Sequence, residues 1–319
     1  MPKSITSAST NSEIEGLRDL LENEEVRYVS KGYGLISASL LTFSFFFILP
    51  ELLFPYYSTL PYTDKFIMFA WGPIIIHTAM VLVSNLMMFG IYKSNLGFFE
   101  RYKITSDPWP WQSNYEEFKE KFWTTMKTLL INDLIIMPLS AIIPALFDTA
   151  KLETDPLYYP SSFELIWSII FFMIVEDTVF YWIHRLLHTR FFYKNIHKKH
   201  HEYNITISIA AEYAHPIEFI FGNLIPTSVG PLLLGGRCHV VTWYLWMIIR
   251  ILETTDGHCG YEFSWSPFRL LPLSGSANYH NFHHAHNIGN FASFFTYWDT
   301  IFSTNKHYWR YLAKQEKEA

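Results

Sequence analysis

Residues 66–92 read FIMFAWGPIIIHTAMVLVSNLMMFGIY, twenty-seven positions between Lys65 and Lys93 without a charged side chain. A helix of about 20 apolar residues crosses roughly 30 Å of hydrocarbon. This stretch is therefore long enough to span a membrane with tilt, and Gly72-Pro73 should kink it. Upstream, GYGLISASLLTFSFFFILP fills positions 32–50 between Lys31 and Glu51. Downstream, residues 128–147 form a third apolar segment broken by Asp133, Pro138 and Pro144. A fourth, FELIWSIIFFMIVEDTVFYWIHRLLH, covers 163–188 and carries Glu176 and Asp177 in its second half. Residues 216–252 give two shorter runs split by Gly235-Gly236-Arg237. Gly222, Pro226, Gly230 and Pro231 make a re-entrant or kinked hairpin at least as natural there as a straight span.

Composition agrees with a membrane chain. Of 319 residues, 50% are hydrophobic, 18% aromatic and only 17% charged, where soluble domains carry about 25% charged residues. A formal net charge of −5 gives no electrostatic basis for nucleic-acid binding. The two cysteines, Cys238 and Cys259, are too few for a disulfide framework or a four-thiolate zinc site. The expected fold is all-α: polytopic membrane helices, about four spans plus the hairpin, with a helical, histidine-rich di-metal cap. Its expected divisions are a polar segment 1–31, spans within 32–162 with a loop at 93–124, a catalytic domain 163–304 and a polar tail 305–319.

Lys and Arg in short loops favour the cytoplasmic side. The loop 93–124 holds five (Lys93, Arg101, Lys103, Lys119, Lys121), and 178–201 holds five more (Arg185, Arg190, Lys194, Lys198, Lys199). The opposite loops, 52–65 and 151–161, hold only Lys65 and Lys151. Both termini and the histidine-rich segments are thus expected on the cytosolic face.

The fourteen histidines are clustered. His184 and His188 form HxxxH; His197, His200 and His201 form HxxHH; His280, His283 and His284 repeat HxxHH. On a helix, positions three and four apart share a face, so each cluster can aim two or three imidazoles at one place. A lone histidine on an apolar face, such as His77, is ordinarily a packed core residue, and His239 and His307 start from the same reading. Three such clusters in one chain are not accounted for that way, because desolvating so many imidazoles needs a ligand to offset it. Eight imidazoles exceed what one ion can use, which argues for two metals. Blue-copper and iron–sulfur sites need cysteine, and the HExxH zinc signature is absent. Non-haem iron that activates O₂ is the most economical choice.

From about 163 to 304 the chain resembles the fatty acid hydroxylase superfamily, and within it the C-4 methylsterol monooxygenases. The carrying residues are Glu176-Asp177-Thr178, Tyr181 to His188, Tyr193 to Tyr203, Ala211 to Pro216, Arg250 to Thr254, Gly257 to Glu262, Ile288 to Ser293 and Tyr297-Trp298-Asp299. The third cluster departs from that family: Tyr279-His280-Asn281 stands where His-His-Asp is usual. The resemblance implies a multi-pass endoplasmic reticulum enzyme with two non-haem Fe ions, oxidising a sterol or other lipid with O₂. Electrons would come from NAD(P)H through cytochrome b5 and its reductase. Related chemistries are C-5 desaturation, side-chain dealkylation and fatty-acyl or sphingoid hydroxylation; a non-catalytic membrane metal-binding protein is the reading from another class.

Asp177, Tyr181, His184 and His188 fall on one helix face. An acid at that depth is functional by default, and Asp177 is expected to orient a metal-bound imidazole. Tyr181 is the second candidate catalytic side chain. Glu176 should point elsewhere, towards Arg185 or Arg190. Outside the clusters His258 and His215 are further candidate ligands, with His258 preferred.

Overall fold

In the computed structural model, residues 31–147, 149 and 151–318 are described; the expected N-terminal segment, apart from residue 31, lies outside them. The described chain is helical, with only isolated bridges such as Lys103–Tyr261 and Ser274–Phe295 besides helix and turn.

Four described helices are long and apolar enough to cross a membrane: α1 (Lys31–Tyr57), α2 (Ile67–Ser94), α3 (Tyr115–Leu146) and one at Pro216–Arg237. The first three agree with the segments expected from sequence. The fourth differs, since the helix at Ser162–Leu187, α4, is not among them. Its acids and its burial set it apart: Leu165, Phe172, Glu176, Asp177, Tyr181 and His184 are all enclosed by protein. The Pro216–Arg237 helix, α5, turns at Gly235–Arg237 into α6 (Val240–His258), giving the kinked hairpin that the glycines and prolines imply. Two further helices complete the set, α7 (Ala277–His286) and α8 (Lys306–Glu318).

Each of the four long apolar helices contains one wide, π-type turn, and each wide turn runs up to a proline. Leu49 donates to the Ser44 carbonyl just before Pro50, and Gly72 to Ile67 before Pro73. Met137 donates to Asn132 before Pro138, and Ile225 to Ile220 before Pro226. Proline lacks an N–H and its ring crowds the carbonyl four residues back. Widening the preceding turn relieves that clash while the helix continues. The kink expected at Gly72-Pro73 thus takes a specific form.

Around α4 the packing is close. Its start is fixed by a capping box, with the Ser161 hydroxyl bonded to the Glu164 backbone and the Glu164 carboxylate returning to Ser161. Gly230 of α5 lies against Phe172, and a Cβ there would come 2.7 Å from the phenylalanine ring. Ile169, Phe172, Trp246, Ile249 and Phe294 form one buried cluster joining α4, α6 and the segment after α7. A second, of Tyr92, Trp109, Tyr203, Tyr213 and Tyr261, packs the end of α2 against the histidine-bearing loops. A third cluster, of Tyr279, Phe282 and Tyr308, packs α7 against α8, and together the three hold the histidine-bearing segments in place.

Candidate metal centre

Nine histidines converge into two adjoining groups. His184, His188, His197, His201 and His283 form one, and His200, His258, His280 and His284 the other, with potential ligand atoms inside each group within 4.8 Å of one another. The pairs 184/188 and 280/284 stay together as i,i+4 neighbours of α-helical turns, and 197/201 stays together on a 3-10 turn. The intervening His200 and His283 go to the opposite group. The groups touch through His201 and His284, whose rings stack with centroids 4.6 Å apart. This set comprises the eight cluster histidines and His258.

His215 lies outside both groups. Its Nδ1 instead accepts the Ile217 backbone N–H and caps the start of α5. His239 does the same for α6 through Val241. His286 stacks on Phe282, and its Nδ1 meets the Phe282 carbonyl.

The hydrogen bonds behind the rings fix how they face inward. His184 Nδ1 donates to the Phe291 carbonyl at 3.0 Å, His258 Nδ1 to Thr254 at 2.8 Å, and His283 Nδ1 to Gly289. A carbonyl only accepts, so these rings carry hydrogen on Nδ1 and present the Nε2 lone pair to the interior. Inside, His188 Nε2 sits 3.1 Å from His283 Nε2 and 3.0 Å from His197 Nε2. One proton on His188 can serve only one of these contacts. His258 Nε2 is likewise 3.3 Å from His200 and 3.0 Å from His280. Converging lone pairs with too few protons between them suit bound cations, and the donor set is one that iron, zinc, copper and nickel accept. Burial, reinforced by neighbouring imidazoles, pushes His188 down to about 2, and burial lowers His200 to about 4, so the rings are held neutral as ligation requires.

An acid supports one ring, but it is Glu218, whose carboxylate takes the His197 Nδ1 at 2.6 Å. This contact went unread in the sequence. Its signal was available: Glu218 is an acid at the start of an apolar run, the feature that singled out Asp177.

Asp177 has a different role from the one its helix face suggested. It is fully buried, and its Oδ1 accepts the backbone N–H groups of Ser293 and Phe295. Asp299 takes those of Phe291 and Ala292. Together the two carboxylates clamp the segment whose Phe291 carbonyl holds His184, so Asp177 acts through the backbone and not on an imidazole. Gly289, in the same segment, has φ +62°, and a Cβ there would run into the Thr304 carbonyl. Tyr181 points the other way: it stacks on Trp298 and Phe302, with its hydroxyl 3.2 Å from Thr304 Oγ1. Glu176 pairs with neither Arg185 nor Arg190 but with Arg250 at 2.8 Å, and Arg250 also bonds Glu253 at 2.7 Å. Asn281, at the departure from the family pattern, accepts from the Thr206 hydroxyl.

Two cavities adjoin the histidines. A small chamber of about 30 Å³ is lined by His184, His197, His200, His258 and His280 together with Phe180 and Glu218. A larger one of about 240 Å³ lies among α2, α3, α5 and α6, walled by Phe69, Met137, Phe219, Leu224, Trp243 and Met247. An apolar cavity adjoining a histidine-lined chamber can hold a hydrocarbon substrate and keep water from it.

A convergent histidine cluster beside an apolar cavity, in a chain of membrane-length helices, defines a class, and comparison with known proteins assigns it. Residues 169–304 match the Fatty acid hydroxylase family model. Methylsterol monooxygenase 2-2 of Arabidopsis thaliana is 38% identical over 249 residues, covering 77% of this chain and 88% of the relative. The very-long-chain aldehyde decarbonylase GL1-8 of Oryza sativa subsp. indica is 33% identical over 250 residues, with the same coverage of 77% and 88%. C-4 methylsterol oxidase erg25 of Schizosaccharomyces pombe is 34% identical over 221 residues, covering 68% and 71%. No solved structure matches. The chain belongs to the fatty acid hydroxylase superfamily. At that level it is a membrane oxygenase with a histidine-rich site able to bind metal.

Proposed function

We propose that the protein is a non-haem di-iron monooxygenase that oxidises the C-4 methyl group of a sterol in sterol biosynthesis. The carrying observation is the division of nine histidines, seven of them buried and His188 and His280 half-buried, into two adjoining groups beside an apolar cavity. Relatives named for methylsterol oxidation support the substrate. His184, His188, His197, His201 and His283 would hold one iron, and His200, His258, His280 and His284 the other. When bound, the irons supply the capacity to activate O₂ for attack on an unactivated C–H bond.

The chain does the rest. The carbonyls of Phe291, Thr254 and Gly289 and the carboxylate of Glu218 hold four ligand rings in one tautomer and orientation. Phe219, Met247 and their neighbours exclude water from the hydrocarbon's path. Electrons come from NAD(P)H through cytochrome b5 and its reductase. The enzyme sits in the endoplasmic reticulum membrane with its histidines facing the cytosol, on the Lys/Arg asymmetry of its loops.

Sterol profiling of cells lacking the protein tests the reaction. Accumulation of C-4-methylated sterols is the expected result. Accumulation of a desaturation precursor, a side-chain-alkylated sterol or a long-chain aldehyde would contradict the substrate.

A further inference from the structure

The apolar cavity and the histidine chamber share three wall residues, Asn223, Arg250 and Thr254, which mark the boundary, or throat, between them. Arg250 is engaged there, holding Glu176 and Glu253. The other two have backbone duties only. The Asn223 carbonyl accepts the Thr227 hydroxyl, and the Thr254 carbonyl accepts His258 Nδ1. Among the described residues, neither the Asn223 amide nor the Thr254 hydroxyl has a hydrogen-bond partner. Glu212, buried and lining the same cavity, also leaves its Oε2 without one. Beyond the throat the walls are chiefly hydrocarbon, from Phe219, Met137, Trp243 and Met247.

The wall that the cavity shares with the histidine chamber thus carries unpaired hydrogen-bonding groups, Asn223 and Thr254, in addition to the unpaired Oε2 of Glu212 and Nδ1 of His77 elsewhere in its lining. A bound lipid would place its polar group where those atoms can pair with it, because buried polar groups are costly when left unpaired.

We propose that Asn223 and Thr254 are specificity residues that hold the hydroxyl of a hydroxylated lipid at the throat, so that the C–H bond offered to the histidine centre lies within a few bonds of that hydroxyl. The proposal rests on the sterol reading above and sharpens it. A sterol carries its ring hydroxyl on the carbon next to C-4, which matches this geometry. Side-chain oxidation would put the hydroxyl at the far end of a rigid ring system from the metals.

Equilibrium binding to the full-length holoprotein, kept without any electron donor, tests this without relying on turnover. The probes are a radiolabelled C-4-methylated 3-hydroxysterol, its 3-deoxy analogue and a long-chain aldehyde. Wild type should bind the hydroxysterol at least about 10-fold more tightly than the deoxy analogue, since a site built to pair a hydroxyl rejects ligands lacking it. Asn223→Leu and Thr254→Val should each lose most of that preference while binding the deoxy analogue as wild type does, which also shows the cavity intact. Equal affinity of wild type for both sterols would overturn the anchor and leave the sterol reading standing. Full preference retained in both variants would also overturn it. Binding of the aldehyde with neither sterol would overturn the sterol reading itself, and the anchor with it.

Discussion

The first membrane helix and the histidine-bearing half are built on opposite principles. In α1, Leu35, Ile36, Leu40, Leu41 and Phe43 are exposed, and little of the helix is covered by the rest of the protein. In α4 and α6, Glu176, Asp177, Arg250, Glu253 and His258 are enclosed. Apolar surface on that scale is stable only against lipid or a partner, so α1 is specified mainly by length and apolarity. A buried polar group, by contrast, must find its partner, so in the histidine-bearing half nearly every buried polar side chain has a fixed role. The difference teaches where substitutions should matter. Helices facing lipid ought to tolerate exchange of one apolar residue for another, while the enclosed polar network ought not.

The largest contrast should come from two histidines. His201→Ala removes a member of the five-histidine group and should abolish O₂-dependent turnover, a loss beyond the roughly 10–100-fold typical of outer partners. His215→Ala removes only a helix cap and should leave turnover within about 10-fold of wild type. Activity assays on both, normalised to folded protein, check the pair. Comparable losses would mean that the groups drawn here do not mark the ligands.

Next comes Glu176→Leu, which leaves Arg250 with Glu253 as its remaining carboxylate partner. Breaking a buried pair by removing one member costs about 3–5 kcal/mol. Denaturant unfolding in detergent should show a loss of this order; an unchanged midpoint would show that the network contributes nothing to stability. Glu218→Gln should be milder, keeping the fold and reducing metal affinity or turnover about 10–100-fold through weaker support of His197. Metal titration of the purified variant reads this directly. Smallest of all, Leu40→Val on the exposed side of α1 should change stability by no more than about 0.5 kcal/mol. A larger effect would mean that α1 packs against another protein and not against lipid.

The same contrast explains what could be read from the sequence. Length and apolarity are local properties, so α1, α2 and the apolar part of α3 were legible residue by residue. The histidine set was legible because its members sit at helical spacings, and His258 joined it on resemblance. What escaped depends on contacts distant in sequence. Glu218 meets His197 across 21 positions, and Asp177 meets Ser293 across 116. A helical-face argument around α4 could not resolve these, because α4 is enclosed on more than one side. Glu176, expected to face away, is as fully buried as Asp177. The wide turns before Pro50, Pro73, Pro138 and Pro226 lie between these cases: the prolines announce a distortion, and the helix decides its form.

The central claim is that nine histidines build two metal sites in one chain. Metal analysis of active, full-length protein, purified without chelators and reconstituted with iron, tests it most directly. Two irons per chain are predicted, with His258→Ala lowering the count by withdrawing a ligand from the four-histidine group. A single iron per chain in a fully active preparation would contradict the claim.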